Sequence, residues 1–118
     1  MLENCSLSPD LIKSTVKTNI FGKTGFYYFD KIDSTNTYAA NLAEKGSPEG
    51  TVVLSESQQS GRGRLDRVWH SPEKEGIYMS IIMRPDISVS EFPIITLMTS
   101  LAVRESLTIN GINNIIIK

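Results

Sequence analysis

Residues 26–57 decide the fold class, and their sequence is FYYFDKIDSTNTYAANLAEKGSPEGTVVLSES. The aromatic run 26–29 and the β-branched run 51–57 each predict a strand. Between them, cap-forming residues precede a helical pattern that Gly46 ends. Four apolar residues share one face of that helix: Tyr38, Ala39, Leu42 and Ala43. A strand, a helix and a strand in this order predict the α/β (α+β) class, a mixed sheet with helices packed on it.

Four further segments extend this pattern. They are a helix from Ser8 to about Val16, a strand over 77–83, a helix from about 91 to 109, and a strand that begins at Ile115–Ile117. The last is apolar on both faces, which is typical of a central strand. The predicted order is α-β-α-β-β-α-β. Residues 58–72 are polar and interrupted by glycine, so we predict one long connection there, and connections of this length are usually functional.

Composition excludes several classes of protein. A length of 118 residues predicts one domain, and 40% hydrophobic with 21% charged residues is an ordinary globular balance. The net charge of −1 gives no general attraction for nucleic acid. We find no signal peptide, and the apolar runs are too short to span a membrane, so we expect a cytoplasmic protein without a membrane partner. The single cysteine, Cys5, excludes an internal disulfide and a thiolate metal site, and we expect it to be unreactive.

A basic segment stands out against this neutral background. Three of the five arginines, Arg62, Arg64 and Arg67, fall within six positions. Gly61 and Gly63 alternate with them, so backbone N–H groups can approach a ligand between planar guanidinium donors. The segment lacks the lysine of a Walker loop and the third glycine of a dinucleotide fingerprint. The segment therefore predicts a site for a compact anion. The alternatives are a solvated basic loop and a short Arg-Gly segment that binds RNA.

Two other groups of residues can carry function. Ser34, Thr35 and Asn36 lie at a predicted helix N-terminus, where they either cap the helix or bind a polar, uncharged group. His70 is the only histidine, so no Ser-His-Asp arrangement of the usual kind is expected, and its position favours a structural role. Trp69 is either a core residue or a lid over a flat ligand.

In combination, these motifs resemble the catalytic domain of the biotin–protein ligases. The resemblance is carried by Asp33-Ser34-Thr35-Asn36, by Gln58-Gln59-Ser60-Gly61-Arg62-Gly63-Arg64, and by Arg67-Val68-Trp69 with Ser71-Pro72. Tyr78-Met79-Ser80 followed by Arg84-Pro85 is similar to the next strand of that family. Ile115-Ile116-Ile117-Lys118 is similar to the start of its Lys-Trp-Pro-Asn-Asp motif. One departure is Leu65-Asp66, where many members have a residue followed by glycine.

The resemblance implies a fold related to class II aminoacyl-tRNA synthetases and a two-step reaction. Biotin and ATP, with Mg²⁺ expected, form biotinyl-5′-AMP, and the biotinyl group then passes to a lysine of a biotin carboxyl carrier protein. By the same resemblance, biotin is contacted by Ser34, Thr35, Asn36, Gln58, Arg62, Gly63 and Arg64. The loop over the adenylate would comprise Gly61, Arg62, Gly63, Arg64, Arg67 and Trp69. Arg64 and Lys118 would be catalytic, and no metal-ligating residue is assigned.

The same resemblance divides the chain into a lead-in segment with a short helix (1–25) and the N-terminal part of a ligase domain (26–118). We expect the chain to be a fragment that stops inside the Lys-Trp-Pro-Asn-Asp motif, because it ends within a predicted central strand. No helix-turn-helix is evident before Ser34, so DNA binding is not expected. The alternatives are a lipoate–protein ligase and a non-catalytic module that binds biotin or an adenylate.

The 118-residue chain by itself is therefore predicted not to biotinylate a carrier protein. Losing one charge-stabilising group typically costs ~10²–10³ in rate, and an unfinished strand would also favour self-association, including homo-oligomers. Pyrophosphate release with biotin and ATP measures the ligase activity, and light scattering measures the self-association. Turnover typical of a complete ligase by a monodisperse monomer would contradict this prediction.

Overall fold

The structure is a computed structural model that describes residues 7–118, so Cys5 lies outside the described residues. Within them, the helices are α1 (Pro9–Thr15), α2 (Thr35–Glu44) and α3 (Phe92–Ile109), with one 3₁₀ turn at Val89–Glu91. The strands are β1 (Phe26–Phe29), β2 (Val52–Ser55), β3 (Gln58–Arg62), β4 (Val68–Ser71) and β5 (Tyr78–Ile81). The chain forms two compact units, one ending at Arg84 and the other spanning Pro85–Lys118. The predicted division at residue 25 stays a prediction.

The first unit is built on a three-stranded mixed sheet in the order β1-β2-β5. Strand β1 pairs parallel with β2, and β5 pairs antiparallel with β2. Helix α2 connects the two parallel strands, as a parallel pair requires. The central strand β2 is buried along its whole length, in agreement with its β-branched, two-sided apolar sequence. The mixed α/β class predicted from residues 26–57 is therefore confirmed.

The core of this unit lies between the sheet and α2. Its buried members are Ala39 of α2, Val53 of β2 and Ile82 just after β5. Val53 has no exposed surface, which makes it the centre of the packing. Five partly buried side chains surround this cluster: Phe29, Ile32, Tyr38, Leu42 and Ala43. The predicted apolar stripe of α2 is thus the face that packs on the sheet.

Both ends of α2 are held by side chains. Ser34 is the N-cap, and its Oγ accepts a hydrogen bond of 3.3 Å from the Thr37 N–H. Gly46 follows the C-terminus with φ +89°, a conformation that glycine adopts without strain. Since the last turn of α2 has no basic residue of its own, Arg84 supplies a cation from beyond β5. Its Nη2 donates to the carbonyl oxygens of Ala43 at 2.8 Å and Ser47 at 2.7 Å.

The expected long connection over 58–72 is wrong, because these residues form a β-hairpin. Strands β3 and β4 pair antiparallel, with a bulge between Gln58 and Gly61. The sequence pattern misses this hairpin because its buried positions are the small residues Gly61 and Ser71 rather than alternating apolar ones. The connection is reduced to residues 63–67.

The second unit contains the predicted hydrophobic helix, which is confirmed as α3. The strand predicted at Ile115–Ile117 is wrong, because residues 112–118 have irregular backbone. A strand needs a neighbour to accept its backbone hydrogen bonds, and an apolar sequence alone does not supply one. Our sequence analysis judged every apolar run too short to span a membrane, but residues Val89–Ile109 are long and apolar enough to cross one when the whole helix is counted. Length and composition are weak grounds for a span, since core helices meet the same criteria.

A buried carboxylate lies at the end of β2. Glu56 is 3% exposed, and its Oε1 accepts hydrogen bonds from the Leu7 N–H and from the Tyr28 hydroxyl at 2.7 Å. Burial, followed by this hydrogen bond to Glu56, raises the pKa of Tyr28. The tyrosine therefore stays protonated and neutral, which is the state in which it can donate to the carboxylate.

We predict that Arg84→Gln destabilises the first unit by about 1 kcal/mol, because charged hydrogen bonds to the carbonyls at the α2 C-terminus are lost. Arg84→Lys should recover part of the loss, since it keeps the charge without the planar donors. Urea denaturation measures the free energy of unfolding. Lys17→Gln, which removes an exposed charge elsewhere in the same unit, is the control. Equal stability of all four proteins would show that the cap contributes nothing.

Candidate functional site

An open hollow of about 350 Å³ lies where the N-terminus of α2 meets the hairpin and β5. Three elements line it. Helix α2 contributes Ser34, Thr35 and Asn36; the hairpin contributes Gln58, Arg62, Trp69, His70 and Ser71; and β5 with its preceding residue contributes Ile77, Tyr78, Met79 and Ser80. The hollow therefore has polar groups from all three elements, and apolar surface from Trp69, Ile77 and Met79.

The hairpin is fixed against the start of α2 by backbone hydrogen bonds. The Gln59 N–H donates to the carbonyl oxygen of Ile32 at 2.9 Å, and the Ser60 N–H donates to that of Asp33 at 2.8 Å. Because these partners directly precede α2, strand β3 runs alongside the helix entrance. This places Gln58 opposite the first residues of the helix.

The side chain of Gln58 joins the two elements. Its Oε1 accepts from the Thr35 N–H at 2.9 Å and from the Thr35 hydroxyl at 3.2 Å. Its Nε2 donates to Ser71 Oγ at 3.1 Å, across the hairpin. The Thr35 hydroxyl is also 2.9 Å from Ser80 Oγ on β5. One amide thus holds together a helix, a hairpin and, through Thr35, the edge of the sheet.

Gly61 is required by this arrangement. A Cβ atom there would lie 2.8 Å from Ser71 Oγ and 2.9 Å from both Gln58 Nε2 and the carbonyl oxygen of Trp69. Any side chain would therefore displace the groups that orient Gln58. Our sequence analysis placed Gly61 in the adenylate loop, and in the structure the strand-to-strand contact already accounts for a glycine here.

The hairpin connection carries the arginines in a strained turn. The Gly63 N–H donates to the carbonyl oxygen of Arg67 at 2.7 Å, and the Arg67 N–H donates to that of Arg64 at 3.3 Å. The two central residues, Leu65 at φ 56° and Asp66 at φ 57°, both have left-handed backbone. That is the conformation of a type I′ turn, which favours Asn-Gly and disfavours leucine. A side chain on Gly63 would also collide with the Trp69 indole.

The structure brings together six of the residues predicted to form the site: Ser34, Thr35, Asn36, Gln58, Arg62 and Trp69. A neighbouring surface depression is lined by Arg64 and Arg67, together with Leu65 and Trp69. A second depression is lined by Gly61, Gly63 and Arg67. Lys118 belongs to the second unit, where it lies beside Arg104 and Ile117. Trp69 is 64% exposed, which excludes the core alternative.

Sequence reasoning missed Ser71, Tyr78 and Ser80 as site residues and gave His70 a structural role. His70 is exposed and lines the hollow. Ser71 and Ser80 carried no signal of their own, because serine is common in polar segments and their partners are distant in sequence. The alternation over 77–83 could have indicated Ser80, since it placed Tyr78 and Ser80 on one face of β5. Among residues 7–118, no group of three His, Cys, Asp or Glu side chains could hold a metal ion.

Comparison with known proteins identifies the family. A family model described as "Biotin/lipoate A/B protein ligase family" matches residues 28–118. The chain belongs to that family. It is 45% identical over 97 residues to the bifunctional ligase/repressor BirA of Bacillus spizizenii and 43% identical to that of Bacillus subtilis, covering 82% of this chain and 30% of either relative. The chain thus spans less than a third of the length of these relatives.

Solved structures support the fold. A biotin protein ligase from Leishmania major in complex with biotinyl-5-AMP matches with a TM-score of 0.60 at 24% identity, over 72% of this chain and 35% of that one. A biotin protein ligase from Aquifex aeolicus in complex with biotin and ATP matches with a TM-score of 0.53 at 30% identity, over 71% of this chain and 36% of that one. The mixed α/β architecture is therefore that of biotin protein ligases, of which this chain contains a part.

We predict that Asp66→Gly stabilises the hairpin by about 1 kcal/mol, because glycine adopts the left-handed backbone without the steric penalty of a Cβ. Hydrogen exchange of the Gly63 N–H reports the opening of this turn, and we expect it to slow about fivefold. Asp66→Ala, which removes the carboxylate and keeps the Cβ, is the matched control. Faster exchange in Asp66→Gly than in the unmodified chain would contradict the turn geometry.

Proposed function

We propose that this chain supplies the biotin-binding part of a biotin–protein ligase. The observation that carries the proposal is the hollow in which the N-terminus of α2 and the Gln58 amide meet Arg62 and Trp69 of the hairpin. The Bacillus BirA relatives, matched over 82% of this chain, support the same assignment. In the proposed reaction, biotin and ATP form biotinyl-5′-AMP with loss of pyrophosphate, and the biotinyl group then passes to a lysine of a biotin carboxyl carrier protein.

The lining of the hollow has groups suited to both parts of biotin. The ureido ring is polar and uncharged, and hydroxyl and amide groups of Ser34, Asn36 and Gln58 line the hollow. The thioether ring and the alkyl chain are apolar, and Ile77, Met79 and Trp69 line the same hollow. A site of this composition favours a ligand that is polar at one end and apolar along its length.

The arginines suit the first chemical step. When the biotin carboxylate attacks the α-phosphate of ATP, two anions approach each other, and fixed cations reduce their repulsion. Arg62 lines the hollow, while Arg64 and Arg67 lie at the hairpin turn next to it. Guanidinium groups remain charged at any physiological pH, so they can reduce this repulsion without a neighbouring group that keeps them protonated.

No protein nucleophile is required by this reaction. The biotin carboxylate itself attacks the α-phosphate of ATP, and the carrier lysine then attacks the biotinyl carbonyl and releases AMP. Catalysis would then consist of positioning and charge stabilisation. Mg²⁺ is expected to accompany ATP, bound through phosphate oxygens and water rather than a protein cage. The role of Lys118 as a cation near the phosphates remains part of the proposal, as does a cytoplasmic location.

A lipoate–protein ligase is the second candidate, because the matching family model covers both kinds of enzyme. Lipoate presents a dithiolane ring that has no hydrogen-bond donor. The hydroxyl and amide groups of Ser34, Asn36 and Gln58 in the hollow would then lie beside a ring without matching hydrogen-bonding groups. This polarity favours biotin over lipoate.

Calorimetric titration of the chain with biotin and with lipoate tests the proposal. We expect biotin to bind and lipoate to bind at least tenfold more weakly, because hydrogen-bonding sites reject ligands that lack the matching groups. Arg62→Ala should weaken biotin binding about tenfold, since a charged hydrogen bond to the ligand is lost. Lys17→Ala removes a charge outside the hollow and should change nothing.

Two outcomes would count against the proposal. Tighter binding of lipoate than of biotin would assign the chain to the second candidate. Binding of biotin by a longer protein that contains this chain, without pyrophosphate release when ATP is added, would leave a non-catalytic biotin-binding module.

A further inference from the structure

The segment that precedes β1 is attached to the first unit at two distant points. We call residues 7–25 the strap. At its start, the Leu7 N–H donates to Glu56 Oε1, just beyond the last residue of β2. At its end, the carbonyl oxygen of Gly25 accepts a hydrogen bond of 3.0 Å from the N–H of Val52, the first residue of β2. The strap therefore runs along the whole length of β2.

The side chains of β1 distinguish the two faces of the sheet. Tyr27 and Phe29 both contact Tyr38 of α2, with ring centroids 5.8 Å and 4.9 Å from that of the helix residue. Successive residues of a strand point to opposite faces. Phe26 and Tyr28 therefore lie on the face of the sheet opposite α2.

The strap lies over this opposite face, because it contacts both of these side chains. Lys13 Nζ is 5.4 Å from the centroid of the Phe26 ring, in cation–π geometry. Leu7 shares the acceptor oxygen of Glu56 with the Tyr28 hydroxyl, which donates to it at 2.7 Å. The sheet is thus covered by α2 on one face and by the strap on the other.

The packing of the strap itself is slight. Val52 and Leu54 alternate with Val53, the residue packed under α2, so they belong to the face under the strap, and they are only 7% and 4% exposed. Helix α1, by contrast, contains no buried residue, and Leu11 is 61% exposed. The attachments at the two ends of the strap therefore hold it in place more than the burial of α1 does.

These two attachments are unequal. Near its end, the strap is held by the Gly22 N–H, which donates to the Gly50 carbonyl oxygen at 2.9 Å, and by the Thr24 hydroxyl, which donates to that of Glu49 at 2.7 Å. A Cβ atom on Gly50 would lie 2.8 Å from the carbonyl oxygen of Ile20, so the two backbone segments are also in close contact. The attachment at the start depends on one carboxylate.

The carboxylate of Glu56 is suited to releasing the strap. It is 3% exposed, so losing every donor would leave a buried charge without a hydrogen bond, at a large cost in free energy. The Tyr28 hydroxyl prevents this, because it continues to donate to Glu56 when the Leu7 N–H departs. Detachment therefore costs the hydrogen bond of Leu7 and leaves the buried carboxylate with a partner.

From these contacts we propose that the strap is a hinged cover of the sheet, which opens where Leu7 leaves Glu56 and stays attached at residues 20–25. The start opens first, because one hydrogen bond holds it whereas several contacts hold the hinge. Opening uncovers the face of the sheet that carries Val52 and Leu54. The proposal is independent of the ligase reaction, because it uses no residue of the hollow.

Hydrogen exchange of single backbone amides tests the proposal, because it separates local opening from unfolding of the whole unit. Glu56→Leu removes the carboxylate and keeps an apolar side chain at the buried position. We expect the Leu7 N–H to exchange about tenfold faster, since a hydrogen bond to a charged acceptor is lost. The Gly22 and Val52 N–H groups, which belong to the hinge and the sheet, should keep their rates. Trypsin cleavage after Lys13 should accelerate together with Leu7 exchange.

Two further variants define the cause. Glu56→Gln keeps the shape and one acceptor oxygen, so Leu7 exchange should accelerate by only about threefold, with the same contrast to Gly22. Asp30→Asn is the matched control, because this exposed carboxylate lies 3.4 Å from the same Tyr28 hydroxyl and makes no hydrogen bond to the strap. It should leave Leu7 exchange unchanged.

Two results would overturn the proposal. Equal acceleration at Leu7, Gly22 and Val52 in both Glu56 variants would show that the whole unit is destabilised and that no hinge exists. Unchanged exchange at Leu7 would show that the carboxylate does not hold the strap. Biotin titration of the unmodified chain is a separate measurement, so a failure of the proposed function leaves the exchange results and their interpretation intact.

Discussion

The geometry of the candidate site depends on one half-buried amide. Gln58 accepts the N–H of Thr35 at the first turn of α2 and donates to Ser71 on the opposite strand of the hairpin. The first turn of any helix has N–H groups without partners in the helix, and here a side chain from another element satisfies one of them. The helix entrance and the hairpin are therefore fixed relative to each other, and the hollow between them keeps its shape.

Much of the fold could be predicted from the sequence, because the elements with a strong local pattern are present in the structure. Helix α2 has an apolar stripe, a serine cap and a terminal glycine, and all three features appear in the structure. The hairpin could not be predicted, because Gly61 and Ser71 fill its buried positions. Periodicity detects apolar burial, and it gives no signal where the buried surface consists of glycine and hydroxyl groups.

The error at Ile115–Ile117 has the opposite origin. There the local pattern was strong, but strand formation depends on a neighbouring strand, which local sequence does not specify. The candidate site shows both limits together. Ser34, Thr35 and Gln58 could be named from motifs, whereas Ser71 and Ser80 became evident only through contacts across 13 and 45 positions of sequence. Polar residues whose role is to orient other polar residues leave little trace in a single sequence.

The hairpin also shows how rigid and strained parts are combined in one element. At its base, close contacts at Gly61 fix the Gln58 amide. At its tip, Leu65 and Asp66 hold a left-handed turn that costs conformational free energy, and this turn separates Arg64 from Arg67. Strain at the tip is tolerated because the base is held by backbone hydrogen bonds to Ile32 and Asp33. A ligand that engages the arginines would meet the least stable part of the hairpin, while its polar ring would meet the most constrained part. The base of the hairpin would bind the polar ring, and its tip would bind the anionic part of the ligand. Because these are opposite ends of the same pair of strands, the tip can adjust to the ligand without changing the geometry of the base.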